Sequence, residues 1–166
     1  LPPAITAATG MDALTHNVES YLSPAYHPLC DGIALEGARI AARALAKAVA
    51  EPGNLQARSD MMMASMMGAI AFQKDLGAVH SCAHALGAAC DMHHGLANAL
   101  MIDTVLAWNF AAVPARFDEL AHAAGCRVDP LTAQQPVGEL PHLLRLGGGQ
   151  RKAIAAIKEF RTERVA

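Results

Sequence analysis

A chain of 166 residues that is 53% apolar and only 17% charged has material for one sizeable core and little charged surface to cover it. Its net charge of −2 and aromatic content of 4% argue against a nucleic-acid partner, which needs a basic face and stacking rings. No apolar run is long enough to span a membrane. So much small apolar surface predicts a face covered by another domain or another copy, and a homo-oligomer is expected.

In chain order, Pro2 and Pro3 predict an extended lead-in resembling an interdomain linker. Thr6 or Thr9 can cap a first helix over roughly 9–22, where Met11, Leu14, Val18, Tyr21 and Leu22 follow helical spacing. Ser23-Pro24 ends it, and a loop runs to His27-Pro28. A second helix runs from Asp31 to Ala50 without an internal breaker, with Arg39, Arg43 and Lys47 as its solvated stripe. Glu51-Pro52-Gly53-Asn54 is a turn. A third helix extends from Leu55 to about Gln73. Its five methionines, Met61, Met62, Met63, Met66 and Met67, read as core packing rather than as the lining of a pocket.

Lys74-Asp75 and Gly77 link into a helix carrying His80 and His84. Asp91-Met92-His93 breaks the pattern, and His94-Gly95 opens a new apolar helix that ends near Phe110. Pro114 starts another, with Phe117, Leu120 and Ala121 facing inward and Gly125 after its end. The stretch 126–149 has little periodicity, and 152–165 reads as helix again. The sum is an all-α bundle of about seven helices, with no strand alternation and no repeat. Gly147-Gly148-Gly149 follows no strand, so it is not a dinucleotide fingerprint. Cys30, Cys82, Cys90 and Cys126 lack paired spacing and read as free thiols in a reducing, cytoplasmic compartment.

The chemistry concentrates in 76–98, which holds His80, His84, His93 and His94 of the eight histidines. His80 and His84 are four apart, so they share a helix face with Cβ atoms about 5–6 Å apart. Asp12 and His16 repeat that spacing on the first helix. A lone histidine on an apolar helix is usually a core or surface residue. Two such pairs plus a histidine at a helix start make an oxygen and nitrogen ligand set without cysteine, which suits Fe(II) or Zn(II) better than a structural thiolate site. A metalloprotease of the His-Glu-x-x-His type is excluded by Ser81 after His80. The alternative from another class is a non-catalytic helical interaction module whose histidines bind metal adventitiously or not at all.

Met11-Asp12-Ala13-Leu14-Thr15-His16, then Gly77-Ala78-Val79-His80, His84 and His94-Gly95-Leu96-Ala97-Asn98, resemble the signature segments of iron-containing (group III) alcohol dehydrogenases. The resemblance runs from Pro2 to about Asn109, with both motifs in order, and 126–149 shows no match. It departs at Ala85 and His93, where the family often has proline. It implies that Asp12, His16, His80 and His94 hold Fe(II) or Zn(II). His84 would be a proton relay or substrate contact rather than a ligand. Phe72 and Leu76 would lie near the substrate pocket. Residues 1–166 would then be the α-helical metal-binding domain, the C-terminal half of a dehydroquinate synthase-like fold. The N-terminal domain that carries NAD or NADP is absent from this chain. The implied reaction is the NAD(P)-linked interconversion of a small alcohol and its aldehyde or ketone, with the metal polarising the substrate oxygen. The implied partners are that alcohol or aldehyde and the nucleotide-binding domain. Dehydroquinate synthases and glycerol dehydrogenases share the architecture, but the spacing 12/16/80/94 favours the iron alcohol dehydrogenase branch.

Overall fold

The computed structural model describes residues 1–125, which form six α-helices and, among the described residues, no strand. They are α1 (Pro3–Leu22), α2 (Pro28–Ala50), α3 (Leu55–Ala71), α4 (Ala78–Cys90), α5 (His94–Asn109) and α6 (Pro114–Ala123). Short 3₁₀ turns at Phe72–Lys74 and Phe110–Ala112 extend α3 and α5. The all-α expectation holds. The helix expected over 152–165 and the irregular stretch 126–149 lie outside the described residues. None of the described helices is long and apolar enough to cross a membrane.

Helix α1 is the centre of the bundle. Most of its residues from Thr6 to Tyr21 are buried, on every side, as in a helix surrounded by others. It starts at Pro3 rather than near Thr9. Proline at the first helical position lacks only an N–H that would have no intrahelical partner, and its fixed φ already suits the helix. Thr9 therefore lies inside the helix, where its hydroxyl donates to the Ile5 carbonyl at 2.8 Å. Thr15 does the same to Met11 at 2.7 Å. Asn17, fully buried, donates from Nδ2 to Ala13 O at 2.8 Å and across to Ala64 O of α3 at 2.9 Å, which ties the two helices together. Met11, Leu14 and Val18 pack with Ala34, Leu45, Val79, Leu96 and Ile102 in one core.

The caps explain the other starts. The His27 ring accepts the Cys30 N–H and precedes Pro28, so α2 begins three residues before the expected Asp31. Asn54 Oδ1 accepts the Ala57 N–H at the start of α3. A partly buried ion network, centred on buried Lys74, braces the turn ahead of α4. Lys74 Nζ pairs with Asp31, Arg116 Nη2 meets the same carboxylate at 2.9 Å, and Ser23 Oγ donates to Lys74 O at 3.0 Å. Asp91 ends α4 in the left-handed region at φ 52°, a conformation aspartate tolerates, and so turns the chain towards α5.

One expectation fails on α3. Met62, Met63 and Met66 are 77%, 46% and 52% exposed and so are not core, whereas Met61 packs against the core. Only Ala57, Ala64, Gly68 and Ala71 of this helix are buried, because small side chains let it lie close against its neighbours. Met62, Met63 and Met66 lie on its exposed side.

Helices α5 and α1 are in close contact at Gly95, where an added Cβ would collide with the Ala8 carbonyl. Backbone on both sides leaves little room to adjust. Gly95→Ala should therefore lower stability by about 1–3 kcal/mol, as overpacking does, read as a drop in thermal midpoint. Gly32→Ala is the control. Its Cβ meets nothing within 4 Å, and it should raise stability by about 0.5–1 kcal/mol by lowering chain entropy in a helix.

Candidate metal centre

Three helices bring the predicted ligands together. Asp12 and His16 stand one turn apart on α1, His80 lies in the first turn of α4, and His94 opens α5. Asp12 is the hub. Its Oδ1 lies 3.9 Å from His16 Nδ1, 3.5 Å from His80 Nε2 and 3.4 Å from His94 Nε2. Asp12, His16 and His80 each offer a ligand atom, and these atoms all lie within 4.8 Å of one another, which makes them a candidate metal-binding group. The His16 and His80 ring centroids are 4.4 Å apart, and those of His80 and His94 5.4 Å.

His84 stands to one side. Its ring stacks on His94 at 5.2 Å and meets His80 edge-on at 6.3 Å. It is exposed, whereas the His80 side chain is only 3% exposed. Phe72 lies against His16 with ring centroids 5.8 Å apart and is itself partly open to solvent. Leu76 is half-buried in the turn before α4. A separate cavity of about 500 Å³ between α1 and α3, lined in part by Thr9, Gly10, Arg58 and Met61, contains none of the predicted site residues.

Two residues given no role by sequence reasoning belong to this centre. Asn98, one turn beyond His94, is fully buried and donates from Nδ2 to Asp12 Oδ1 at 2.6 Å. The same nitrogen sits 3.3 Å from both His80 Nε2 and His94 Nε2. Glu19, also buried, reaches across from α1. Its Oε2 is 2.7 Å from His80 Nδ1, and its two oxygens accept the Val79 and His80 N–H groups at 2.7 and 3.2 Å. Spacing offered a signal for each. Glu19 follows Asp12 by seven and His16 by three on one helical stripe, and Asn98 follows His94 by four.

The electrostatics follow from this crowding. Burial pushes the Asp12 carboxyl up, but the His80 hydrogen bond, the His16 and His94 charges and the Asn98 amide outweigh it and hold it below the usual range. Burial pushes Glu19 up too, and the His80 bond with the backbone N–H groups brings it down. For His80, burial disfavours the charged ring, yet its bonds to Asp12 and Glu19 lift it to about 9. Burial depresses His16 and His94 against the pull of Asp12, and neighbouring histidines add to the depression. Lying between the Asp12 and Glu19 carboxylates, the His80 ring is drawn towards its charged form. A divalent cation would replace the added proton.

Comparison with known proteins accords with this arrangement. The family described as Fe-containing alcohol dehydrogenase, C-terminal, matches residues 6–147, beyond Asn109 and into the stretch where the motifs alone showed no match. The chain is 46% identical over 132 residues to 1,3-propanediol dehydrogenase of Klebsiella pneumoniae, covering 79% of this chain and 34% of that protein. It is also 46% identical over 114 residues to 4-hydroxybutyrate dehydrogenase of Cupriavidus necator, covering 66% of this chain and 30% of that one. Among solved structures, 1,3-propanediol oxidoreductase superposes with a TM-score of 0.75 at 40% identity, covering 98% of this chain and 40% of that chain. An alcohol dehydrogenase from Oenococcus oeni gives 0.74 at 34% identity, covering 96% and 38%. The chain thus spans about a third of the length of the curated relatives it matches. Fold, motif order and sequence agree, and the chain belongs to the Fe-containing alcohol dehydrogenase family, as its helical C-terminal domain.

Proposed function

We propose that this domain binds the metal and activates the substrate in an NAD(P)-dependent alcohol dehydrogenase that interconverts a small alcohol and its aldehyde or ketone. The observation that carries this is the meeting of Asp12, His16 and His80 within 4.8 Å in a chain of this family, with His94 Nε2 3.4 Å from Asp12. We assign Asp12, His16, His80 and His94 as ligands of Fe(II) or Zn(II). The donors fit such an ion, being three imidazoles and one carboxylate without a thiolate. Held there, the ion supplies Lewis-acid polarisation of a substrate oxygen.

The remaining work falls to the chain itself. Asn98 orients the Asp12 carboxylate by donating to it. His84, exposed and stacked on His94, is placed to pass the hydroxyl proton between substrate and solvent. Phe72 gives the His16 side an apolar wall, and Leu76 is assigned to the same pocket. The relatives named above are dehydrogenases of 1,3-propanediol and 4-hydroxybutyrate, which supports a short alcohol as substrate.

NAD or NADP is assigned to an N-terminal nucleotide-binding domain, which hydride transfer requires. Exposed Met62, Met63, Met66 and Trp108 offer apolar surface for that domain or for a second copy in a homo-oligomer. Free Cys30, Cys82 and Cys90 suit the cytoplasm. Metal content after exhaustive dialysis tests the reading. One divalent ion per chain is expected, and none would favour the non-catalytic helical module.

A further inference from the structure

We propose that Glu19 is a positioning residue that fixes the tautomer and the aim of His80, so that its Nε2 faces Asp12 as an open ligand atom. The proposal rests on the metal-site reading and deepens it. Three observations carry it. Glu19 Oε2 lies 2.7 Å from His80 Nδ1, and both side chains are only 3% exposed. An ionised carboxylate can only accept, so the ring nitrogen facing it must carry the proton. On a neutral ring that leaves Nε2 with its lone pair, on the side where Asp12 Oδ1 lies at 3.5 Å and Asn98 Nδ2 at 3.3 Å.

The same carboxylate also holds the backbone that carries His80. Helix α4 has no capping side chain of its own. Glu19 accepts the Val79 and His80 N–H groups instead, a carboxylate at a helix N-terminus where the dipole favours it. A Cβ on Gly77 would stand 2.5 Å from Glu19 Oε1, so glycine is what lets the carboxylate come this close. One side chain on α1 therefore sets the position of α4, the rotation of the His80 ring and the proton on it. His16 and Asp12, on the same stripe of α1, supply the other side of the site.

Glu19→Gln tests this in the 166-residue chain. The amide keeps the size of the carboxylate but cannot accept at both positions. Either its NH₂ faces His80 Nδ1 and drives the proton to Nε2, or it turns against the Val79 N–H. Co(II) affinity, by competition with a coloured chelator, should fall about 10–100-fold, as when an outer-shell partner of a ligating histidine is lost. Helix content by circular dichroism should stay the same.

The zinc-loaded wild type should show a downfield His80 Nδ1–H proton, slow to exchange, in histidine-labelled NMR spectra, and Glu19→Gln should lose it. Equal Co(II) affinity in the two proteins would overturn the proposal. So would a wild-type His80 that lacks a protected Nδ1–H, a result that stands even if Glu19→Gln does not fold. His80→Ala, run in parallel, separates the two claims. If it binds Co(II) as well as wild type does, the metal-site reading itself fails. If it loses the metal while Glu19→Gln matches wild type, only the role of Glu19 fails.

Discussion

His80→Ala and Asp12→Ala should each abolish stoichiometric divalent-metal binding, with losses beyond the about 10–100-fold that an outer-shell change costs. Each removes a donor from the crowded side of the centre. Asp12 Oδ1 is the atom that all three histidines approach, at 3.4 to 3.9 Å. The His80 side chain is 3% exposed, so truncating it leaves a gap beside Glu19 that no neighbouring ligand can fill. His94→Ala should lose the metal as well, although its side chain is 40% exposed. His84→Ala should leave metal content nearly intact, because that ring is exposed and stacks on His94 rather than facing Asp12. Isothermal titration with Zn(II) on the purified variants checks the set. If His84→Ala strips the metal as completely as His80→Ala, the division between ligands and relay is wrong.

The second large effect concerns turnover. The 166-residue chain should bind metal and yet show no measurable NAD(P)-dependent alcohol oxidation. A polarised alcohol gives up hydride only to an acceptor held against its carbon, and such positioning is worth about 7–11 kcal/mol over free encounter. Residues 1–125 contain no strand, and therefore no strand–glycine-turn–helix unit of the kind that seats a dinucleotide. The curated relatives are more than twice as long as this chain, since 132 matched residues are only 34% of one of them, with room for such a unit. Absorbance at the reduced-nicotinamide band, with Fe(II) or Zn(II) and a panel of short alcohols, should stay flat for this chain. It should rise when a nucleotide-binding domain is fused or added. Robust turnover by the chain alone would mean that the cofactor is seated among these helices.

Much of this was legible in the sequence because helices announce themselves locally. The spacing of Met11, Leu14 and Val18, the breaker at Ser23-Pro24 and the turn at 51–54 are short-range signals, and the helices follow them. The pairs Asp12/His16 and His80/His84 are equally local. What the sequence hid is set by the packing of one helix on another. The start of α1 at Pro3 rather than Thr9 is a local exception, since proline suits the first helical position and no side chain caps this helix. The exposure of Met62, Met63 and Met66 could not be read from composition. Methionine is apolar, and only the docking of α3 through Ala57, Ala64, Gly68 and Ala71 decides which face turns outward. Glu19 shares the stripe of Asp12 and His16, but its role is set by such packing. A glutamate amid apolar residues looks like a surface charge until α4 places the Val79 and His80 N–H groups against it.

The central claim is that Asp12, His16, His80 and His94 surround one divalent ion. Anomalous diffraction at the zinc or iron edge, from crystals of the metal-loaded chain, tests it most directly. The account predicts a single strong peak within bonding distance of one atom from each of these four residues, with His84 outside that distance. A peak bonded to His84 in place of one of them, or no peak among Asp12, His16 and His80, would contradict it.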